Sequence, residues 1–594
     1  MKKIFQYSLL AAGMTLALSA SADMFGDFLD KEPSNVATTD EVYSDWLMAV
    51  QAHTDTYNFF RHGACRINNS WLDAATDLAA TSYATGGVRT TFNIGNYYGG
   101  GGAPELTGTW EHYYRGIRKC NQTIANIYSV PKSADLSQER YEILQAQYTA
   151  EARFLRAFFY WELFLRYGPV PLVTEVLDPD GDLLSGYTER PTVREYVVDF
   201  VLRELKECEA DLLDCETAKG SAYAGEISQP MARALYGRIM MYMASPRYAE
   251  ASGITWRDAL AANDSFLADF GGSYALMQVS SSAPTFVDAL TTVWLNTQYA
   301  ENNTEVIFYR NDVNVGWGAI VNDVNVGEGG NGGCCPSQNL IDMYDMADGT
   351  APFTAYDVTG APVYSGLQPS VNAASGYTDQ TMWENRDPRL AAAVLYHGVA
   401  WGTGTGANAY INVISGMRDN PIGNANATPT GYYLRKYIPA SILSAEHSGS
   451  SRRLWTFIRY AEILLNRAEI LNEISYDDNR AEICGLLDQI RHRAGITGYV
   501  ADRADLGSQT AMRNFIHKER TVEFAFEEHR WWDVRRWNCA VEALSRPIYG
   551  IEVAADGRIS RKVAQNRVFD AKMYLYPIPE TEYWKTGIEN NAGW

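Results

Sequence analysis

The sequence predicts a mainly α-helical fold: an irregular tetratricopeptide-like superhelix with long loop and small-strand insertions. Apolar residues recur at three- and four-residue steps over long segments. These segments form neighbouring pairs separated by turn residues, as in stacked helix hairpins. No strict repeat of about 34 residues is visible, so the stack is expected to be irregular. Between 295 and 450, Gly, Asn, Thr and Asp replace the helical periodicity, which predicts loops and short strands.

Residues 1–22 have the features of a secretory signal peptide. Lys2 and Lys3 precede an apolar stretch over 9–18, and small residues follow at 20–22. Cleavage there leaves a mature chain that starts at Asp23. No later segment has the roughly 18 consecutive apolar residues of a membrane helix. We therefore expect an exported protein with no transmembrane segment in its mature chain.

Lipid anchoring stays open at this stage. A bacterial lipoprotein carries its acyl chains on a Cys directly after the signal sequence, whereas the first Cys here is Cys65. The sequence is compatible with attachment at the outer membrane, facing the cell surface, if the usual Cys has been replaced. It is equally compatible with release to the periplasm or the medium.

The charge balance excludes one class of partner. The chain has 71 acidic and 50 basic residues, a formal net charge of -21. A polyanionic phosphate backbone is repelled by such a surface. We therefore expect no nucleic-acid partner.

The predicted helices fall on both sides of the loop-rich region. Residues 107–130 and 137–167 are expected to form an antiparallel hairpin, because Pro131 and Gly168 stop the two helices. The remaining helices are predicted at 192–214, 229–244, 255–269, 454–474, 478–493 and 508–545. A second long excursion covers about 65–106. We divide the mature chain into an N-terminal helical region, 23–294, and a C-terminal region, 295–594, within one compact body.

Two local patterns raise alternative chemistry. Cys334 and Cys335 follow a Gly-rich run and could form either a strained vicinal disulfide or two unpaired thiols. A calcium loop is conceivable in the segment 178–189, where acidic residues follow the order of EF-hand ligands. Leu183 stands where that loop requires Gly, so an ordinary solvated turn is favoured. We predict no cofactor and no metal site.

Several motifs together carry a family resemblance. The second long helix contains Glu151-Ala152-Arg153-Phe154-Leu155-Arg156-Ala157-Phe158-Phe159-Tyr160, followed by Tyr167-Gly168-Pro169-Val170-Pro171-Leu172. Further along the chain lie Asp387-Pro388-Arg389-Leu390, Glu519-Arg520, Glu523-Phe524, Glu527, Arg530-Trp531, Asp533, Arg535-Arg536-Trp537, Tyr576-Pro577-Ile578-Pro579 and Asn590-Asn591-Ala592-Gly593-Trp594. In this order, the motifs resemble the SusD/RagB family over essentially the whole mature chain.

The resemblance implies a function. SusD-like proteins are non-catalytic nutrient-binding components at the outer membrane of Bacteroidetes, typically surface lipoproteins. They sit over a TonB-dependent, SusC-like transporter and help to load glycan into it. Their body is built of tetratricopeptide-like helix pairs, and loops hold the ligand. We therefore expect this chain to bind a glycan or oligosaccharide and deliver it to such a transporter.

The signature residues themselves are expected to be structural. Glu519, Glu523 and Glu527 fall near i,i+4 spacing on one predicted helix, where charged pairs lock helix against helix. Trp531, Trp532 and Trp537 recur at core spacing. We predict packing roles for both sets.

The ligand is expected on the two loop excursions. Sugars present flat C–H faces that suit aromatic rings, and their hydroxyls need amide or carboxylate partners. Glycine-rich backbone lets a ligand approach closely. The predicted ligand-binding residues are Trp71, Asp73, Tyr83, Tyr97, Tyr98, Trp294, Tyr299, Asn314 and Trp317, with Trp383 and Trp401 as further aromatic candidates.

Two other functions remain as alternatives. A peptide-binding uptake component would use the same scaffold. A secreted glycoside hydrolase would need two convergent carboxylates, and acidic residues are plentiful. Against an enzyme, the sequence has no G-x-S-x-G elbow and no H-E-x-x-H helix. We predict no catalytic residues.

Overall fold

The structure, a computed structural model, describes residues 38–594 except 65, 102, 179, 183–185, 281–284, 296–302 and 444–448. The predicted signal peptide lies outside these residues. Within the described part, no helix is both long and apolar enough to cross a membrane. The main helices are α1 (Trp46–Asp55), α2 (Pro104–Asn126), α3 (Gln138–Tyr167), α4 (Arg203–Cys208), α5 (Gln229–Ala244), α6 (Trp256–Phe270), α7 (Phe286–Leu295), α8 (Trp317–Ile320), α9 (Gln338–Met343), α10 (Pro388–Ala393), α11 (Tyr460–Ala494), α12 (Gln509–Glu523), α13 (His529–Arg536), α14 (Ala540–Leu544) and α15 (Glu580–Thr586).

The helices pack in neighbouring pairs, and the mainly α-helical prediction is confirmed. Helix α2 lies along α3, α5 along α6, and α11 along α12. Local signals set the ends of the first pair. Pro104 begins α2, and Ser137 Oγ accepts the N–H of Arg140 at the start of α3 (3.1 Å). Gly168 ends α3 with φ of 72°, a conformation that favours glycine.

The strands pair two at a time, and apart from β2 and β8 they are short, in agreement with the predicted small strands. They are β1 (Ala79–Thr81), β2 (Val306–Val315), β3 (Cys334–Pro336), β4 (Tyr364–Ser365), β5 (Gln368–Pro369), β6 (Val394–Leu395), β7 (Tyr433–Leu434), β8 (Ser451–Arg459), β9 (Ile548–Val553) and β10 (Ile559–Gln565). All pairs are antiparallel: β1 with β3, β2 with β8, β4 with β5, β6 with β7, and β9 with β10.

Two helix predictions near the C-terminus are corrected. Residues 451–459, whose last part we placed in a helix, form strand β8, because they pair with β2 across a long sequence separation. The predicted helix 508–545 is broken into three. Phe526, Glu528 and Asn538 have positive φ, and these turns separate α12, α13 and α14. The predicted break between 474 and 478 is present as a kink at Ser475 inside α11.

The main hydrophobic core contains residues from both predicted regions. It runs from Phe60 through the apolar faces of α3 and α5 to Ile578 and Ile588 near the C-terminus. The aromatic rings of Phe158, Phe308 and Phe457 meet there, with ring centroids of Phe308 and Phe457 4.7 Å apart. The division of the chain at residues 294 and 295 stays a prediction.

Buried ion pairs connect the C-terminal helices to the rest of the chain. Glu523 contacts the guanidinium groups of Arg389, Arg459 and Arg493, and all four side chains are at most 2% exposed. These cations hold the pKa of Glu523 well below its ordinary value, although burial alone would raise it. We call Glu523 and its three arginines the charge core.

The structural role of the signature residues is confirmed, but their partners differ from the prediction. Glu519, Glu523 and Glu527 are buried and pair with cations from other elements, not with i,i+4 neighbours on one helix. Trp531, Trp532 and Trp537 are 1%, 8% and 6% exposed, in agreement with packing.

Candidate functional site

Three of the predicted ligand-binding residues lie in the interior, which corrects that prediction. Trp71 and Asp73 are 0% exposed and Tyr97 is 5% exposed. The Trp71 ring packs against Tyr437 and Trp455, with ring centroids 5.5 and 5.8 Å away. Aromatics on a polar loop serve equally well to fasten that loop to the core, and the sequence pattern does not separate the two uses.

Asp73 and Tyr97 also hold their loop to the C-terminal region. Asp73 Oδ1 accepts the N–H of Phe526 (3.2 Å). Burial, helped by the charge of Glu528, raises the pKa of Asp73 to about 7. The Tyr97 ring stacks on Trp594, with centroids 6.1 Å apart and planes 2° from parallel. These contacts give both side chains a structural role.

The other predicted residues lie in different parts of the structure. Tyr83 and Trp317 are partly exposed, and Tyr98 is 49% exposed. Trp294 lies in helix α7 and Asn314 in strand β2. Tyr299 lies outside the described residues. For Tyr98, Trp294, Tyr299 and Asn314, ligand contact stays a prediction.

Strand pairing brings the two loop excursions together beside Tyr83. Thr81 at the end of β1 pairs with Cys334 at the start of β3. The next residue, Ser82, donates its N–H to the carbonyl of Gly333 (3.0 Å) and its Oγ–H to the carbonyl of Asn331 (2.8 Å). Gly333 has φ of 38°, and a Cβ there would lie 2.0 Å from the Asn322 carbonyl oxygen. Glycine is therefore required where the backbone at Gly333 passes the Asn322 carbonyl within the second excursion.

A row of side-chain amides crosses this junction. Tyr83 donates its hydroxyl to Asn322 Oδ1 (2.8 Å), and Asn331 Nδ2 donates to the same oxygen (3.2 Å). Asn426 Nδ2 then donates to Asn331 Oδ1 (3.1 Å). All four side chains are partly exposed. Asn322 Nδ2 and Asn426 Oδ1 make no hydrogen bond to another described residue, so the two N–H donors of the first and the lone pairs of the second remain for a ligand.

Two tryptophans pack on an apolar cluster whose residues Ile320 and Val324 flank Asn322 in the chain. Trp317 begins helix α8, which leads directly into Val321 and Asn322. Trp317 and Trp401 both pack, partly exposed, on one small apolar cluster that includes Ile320, Val324 and Leu443. The guanidinium of Arg435 lies 5.5 Å from the centre of the Trp401 ring. We call Tyr83, Trp317, Asn322, Asn331, Trp401 and Asn426 the loop face.

The sequence pattern predicted the aromatic part of the loop face but not its amides. Trp317 was predicted because glycines flank it, and Tyr83 because it lies on the first excursion. Asn322, Asn331 and Asn426 were missed because Asn is common in turns throughout 295–450. The sequence signal that could have pointed to these three residues is their position within segments rich in Gly and Asn.

The two segments that raised alternative chemistry each have a local structure. Cys335 is a fully buried thiol that donates to the carbonyl of Gly332 (3.3 Å), so the vicinal disulfide is not formed. Burial raises the pKa of this thiol to about 12. In the conceivable calcium loop, Asp178 Oδ1 accepts the N–H of Asp180 (3.0 Å), as in an ordinary turn. The described residues contain no cluster of three or more His, Cys, Asp or Glu side chains suited to a metal ion.

Comparison with known proteins identifies the family. The fold defines a mainly α-helical protein in which loops carry an amide and aromatic face. Residues 293–594 match the profile of the SusD family, and residues 27–230 match a profile described as starch-binding associating with outer membrane. The chain belongs to the SusD family, as the sequence motifs indicated.

Individual relatives agree with this assignment. The SusD-like protein P38 of Formosa agariphila is 25% identical over 74% of both chains. A SusD-like protein from Bacteroides fragilis has a crystal structure that superposes with a TM-score of 0.74, at 25% identity, over 95% of this chain and 100% of that one. A SusD-like carbohydrate binding protein from the same species gives a TM-score of 0.66 at 22% identity, over 92% and 99% of the two chains.

Proposed function

We propose that this protein is a non-catalytic, extracellular glycan-binding protein that holds its ligand at the loop face. The observation that carries the proposal is the amide row together with two partly exposed tryptophans on the apolar cluster that flanks Asn322. The indole rings offer faces for the C–H side of a sugar, and the amides offer the donors and acceptors that sugar hydroxyls need. This combination of aromatic and polar groups is typical of a carbohydrate site.

The relatives support the glycan class. One family profile is described as starch-binding, and one structural neighbour is a carbohydrate binding protein. The same profile's association with the outer membrane supports a location there, facing the cell surface. We propose that the protein delivers its glycan to a partner TonB-dependent, SusC-like transporter, as its family membership suggests.

The charge pattern supports binding rather than catalysis. A general acid or base needs a carboxyl group that can reach the ligand and exchange a proton near neutral pH. Glu328, on the same loop as Asn322, is ion-paired with Arg418. Asp73 has a pKa raised to about 7, but its side chain is fully buried under the loop.

Affinity electrophoresis against a polysaccharide panel, followed by calorimetry with oligosaccharides, tests the proposal. We expect retardation by at least one glycan and a roughly tenfold loss of affinity in Trp317→Ala, because truncating a central aromatic contact has about this cost. Asn426→Ala, whose side chain is only partly buried, is expected to weaken binding without altering thermal unfolding. Tyr128→Ala is the control, since Tyr128 is 60% exposed and lies off the loop face.

Three outcomes would contradict parts of the proposal. Release of reducing sugar by the purified protein would refute the non-catalytic assignment. Binding of a peptide pool with no glycan retardation would replace the glycan by a peptide. For the partner, we expect the full-length protein to co-purify with a barrel transporter from detergent-solubilised outer membranes, and recovery of the protein alone would argue against that step.

A further inference from the structure

A large groove lies between α2 and the C-terminal helix α15, separate from the loop face. The groove has a volume of about 960 Å³, and the loop Pro171–Leu177 closes one side. A second hollow of about 260 Å³ continues from it and shares Tyr114 and Arg118. Ligand pockets in proteins usually measure about 300–1,000 Å³. We call the larger hollow the helix groove; none of its lining residues belongs to the loop face.

The helix groove exposes an unusual aromatic surface. Trp584 on α15 is 74% exposed, and its Nε1 donates to Glu580 Oε1 (3.4 Å), which orients the ring. On the opposite wall, the rings of Trp110 and Tyr114 lie 5.1 Å apart. Trp584 and these two rings together give the groove an aromatic lining, which is typical of ligand pockets. Tyr98, one of the predicted ligand residues, lies next to Gly99 at the edge of this groove.

Polar groups alternate with these rings. Glu111, Arg115 and Arg118 project from α2, while Glu580, Glu582 and Lys585 project from α15. The charges balance, three acidic against three basic. Glu111 pairs with Arg115 (3.8 Å) and Glu582 with Lys585 (3.0 Å). Arg118 has no hydrogen bond or ion pair to another described residue, so its guanidinium donors are available to a ligand.

A glycine of α2, Gly108, lines the groove. Gly108 is an exposed residue in the middle of a turn of α2, and a Cβ at this position would meet no atom within 4 Å. Glycine in a helix interior is less favourable than alanine. The helix therefore carries a destabilising residue where a side chain would extend into the groove.

From these observations we infer that the helix groove is a second glycan-binding site. An exposed indole flanked by carboxylates and a guanidinium suits a sugar ring, whose C–H face stacks and whose hydroxyls both donate and accept. An extended peptide is disfavoured, because the lining residues belong to helices and a loop and offer no strand edge to pair with. The near-neutral charge balance favours a neutral glycan over an acidic one.

Blocking the groove without unfolding the protein gives the sharpest test. Gly108→Leu places a side chain in the groove and improves helix propensity, so thermal stability should be unchanged or higher. Glycan affinity at this site should fall roughly tenfold or more. Gly485→Leu is the matched control: Gly485 is also an exposed helical glycine whose Cβ would meet nothing within 4 Å, but it lies on α11. Trp584→Ala removes the stacking ring and should show the same loss.

The experiment separates this inference from the proposed function on which its glycan class rests. Calorimetry with each retarding oligosaccharide should resolve two sites in the wild type, one lost in Gly108→Leu and the other in Trp317→Ala. If Gly108→Leu and Trp584→Ala bind every glycan as the wild type does while Trp317→Ala does not, the groove inference is overturned and the loop face stands. Loss only in the groove variants would support the groove and refute the loop face. Absence of any glycan binding in the wild type would overturn both.

Discussion

The charge core and the loop face use polar residues in opposite ways. In the charge core, Glu523 and its three arginines are removed from water and satisfy one another. In the loop face, Asn322, Asn331 and Asn426 stay partly exposed and keep hydrogen-bonding capacity unused. Polar residues that are fully paired and buried fix the fold, while those left partly paired at the surface are available for a ligand.

The largest expected effect is in the charge core. Glu523→Gln removes the shared anion and leaves three arginines buried with reduced compensation. Breaking a buried pair in this way is expected to lower the free energy of unfolding by about 3–5 kcal/mol. Urea denaturation measures this change in the free energy of unfolding. The control is Glu552→Gln, whose pair with Lys562 (3.5 Å) is exposed, so the change should stay within about 1 kcal/mol. If both variants lowered the free energy of unfolding equally, burial would not make the Glu523 ion pairs more important for stability than an exposed pair.

Asp73 tests whether a residue on the first loop excursion belongs to the core. Its pKa is raised to about 7 by burial, so the folded state binds this proton more tightly than the unfolded chain. The contribution of this proton to the free energy of unfolding is fully present below about pH 4, and it is lost as the pH rises through about 7. The Asp73→Asn variant has no titrating group at this position. Its free energy of unfolding should therefore rise relative to that of the wild type as the pH increases, by roughly 1–3 kcal/mol at pH 8.

Urea denaturation of both proteins at pH 5, 6.5 and 8 measures this gain. A difference in stability that is the same at all three pH values would show that Asp73 is not protonated in the folded state. Asp73→Asn should also leave glycan affinity unchanged, because the side chain is fully buried. A large loss of glycan affinity would instead indicate that Asp73 contributes to ligand binding.

The smallest expected effect on stability is in the loop face. Tyr83→Phe removes the hydroxyl that donates to Asn322, and a single partly exposed hydrogen bond contributes about 0.5–1.5 kcal/mol. Thermal unfolding should therefore shift little, while glycan affinity in calorimetry should fall several-fold because the amide row is no longer held in place. Tyr128→Phe serves as the control, because the Tyr128 ring is exposed and does not belong to the loop face. A change in stability without a change in affinity would make Tyr83 purely structural.

The sequence by itself determined the helix pairs, the approximate ends of α3, the family, and the packing role of Trp531, Trp532 and Trp537. These features depend on local signals: apolar periodicity, a capping serine, a terminating glycine, and motifs in a fixed order. It also placed candidate ligand-binding residues on both loop excursions, and the pairing of β1 with β3 joins parts of these two excursions.

Only the tertiary structure decided which loop aromatics face solvent and which fasten their loop to the core. Trp71 and Trp317 both lie close to Asn and Asp residues along the chain, yet Trp71 is fully buried against Tyr437 and Trp455. In the same way, 451–459 became a strand because β2, far away in sequence, pairs with it. Burial and strand pairing depend on partners distant in sequence, and a local pattern carries no record of those partners.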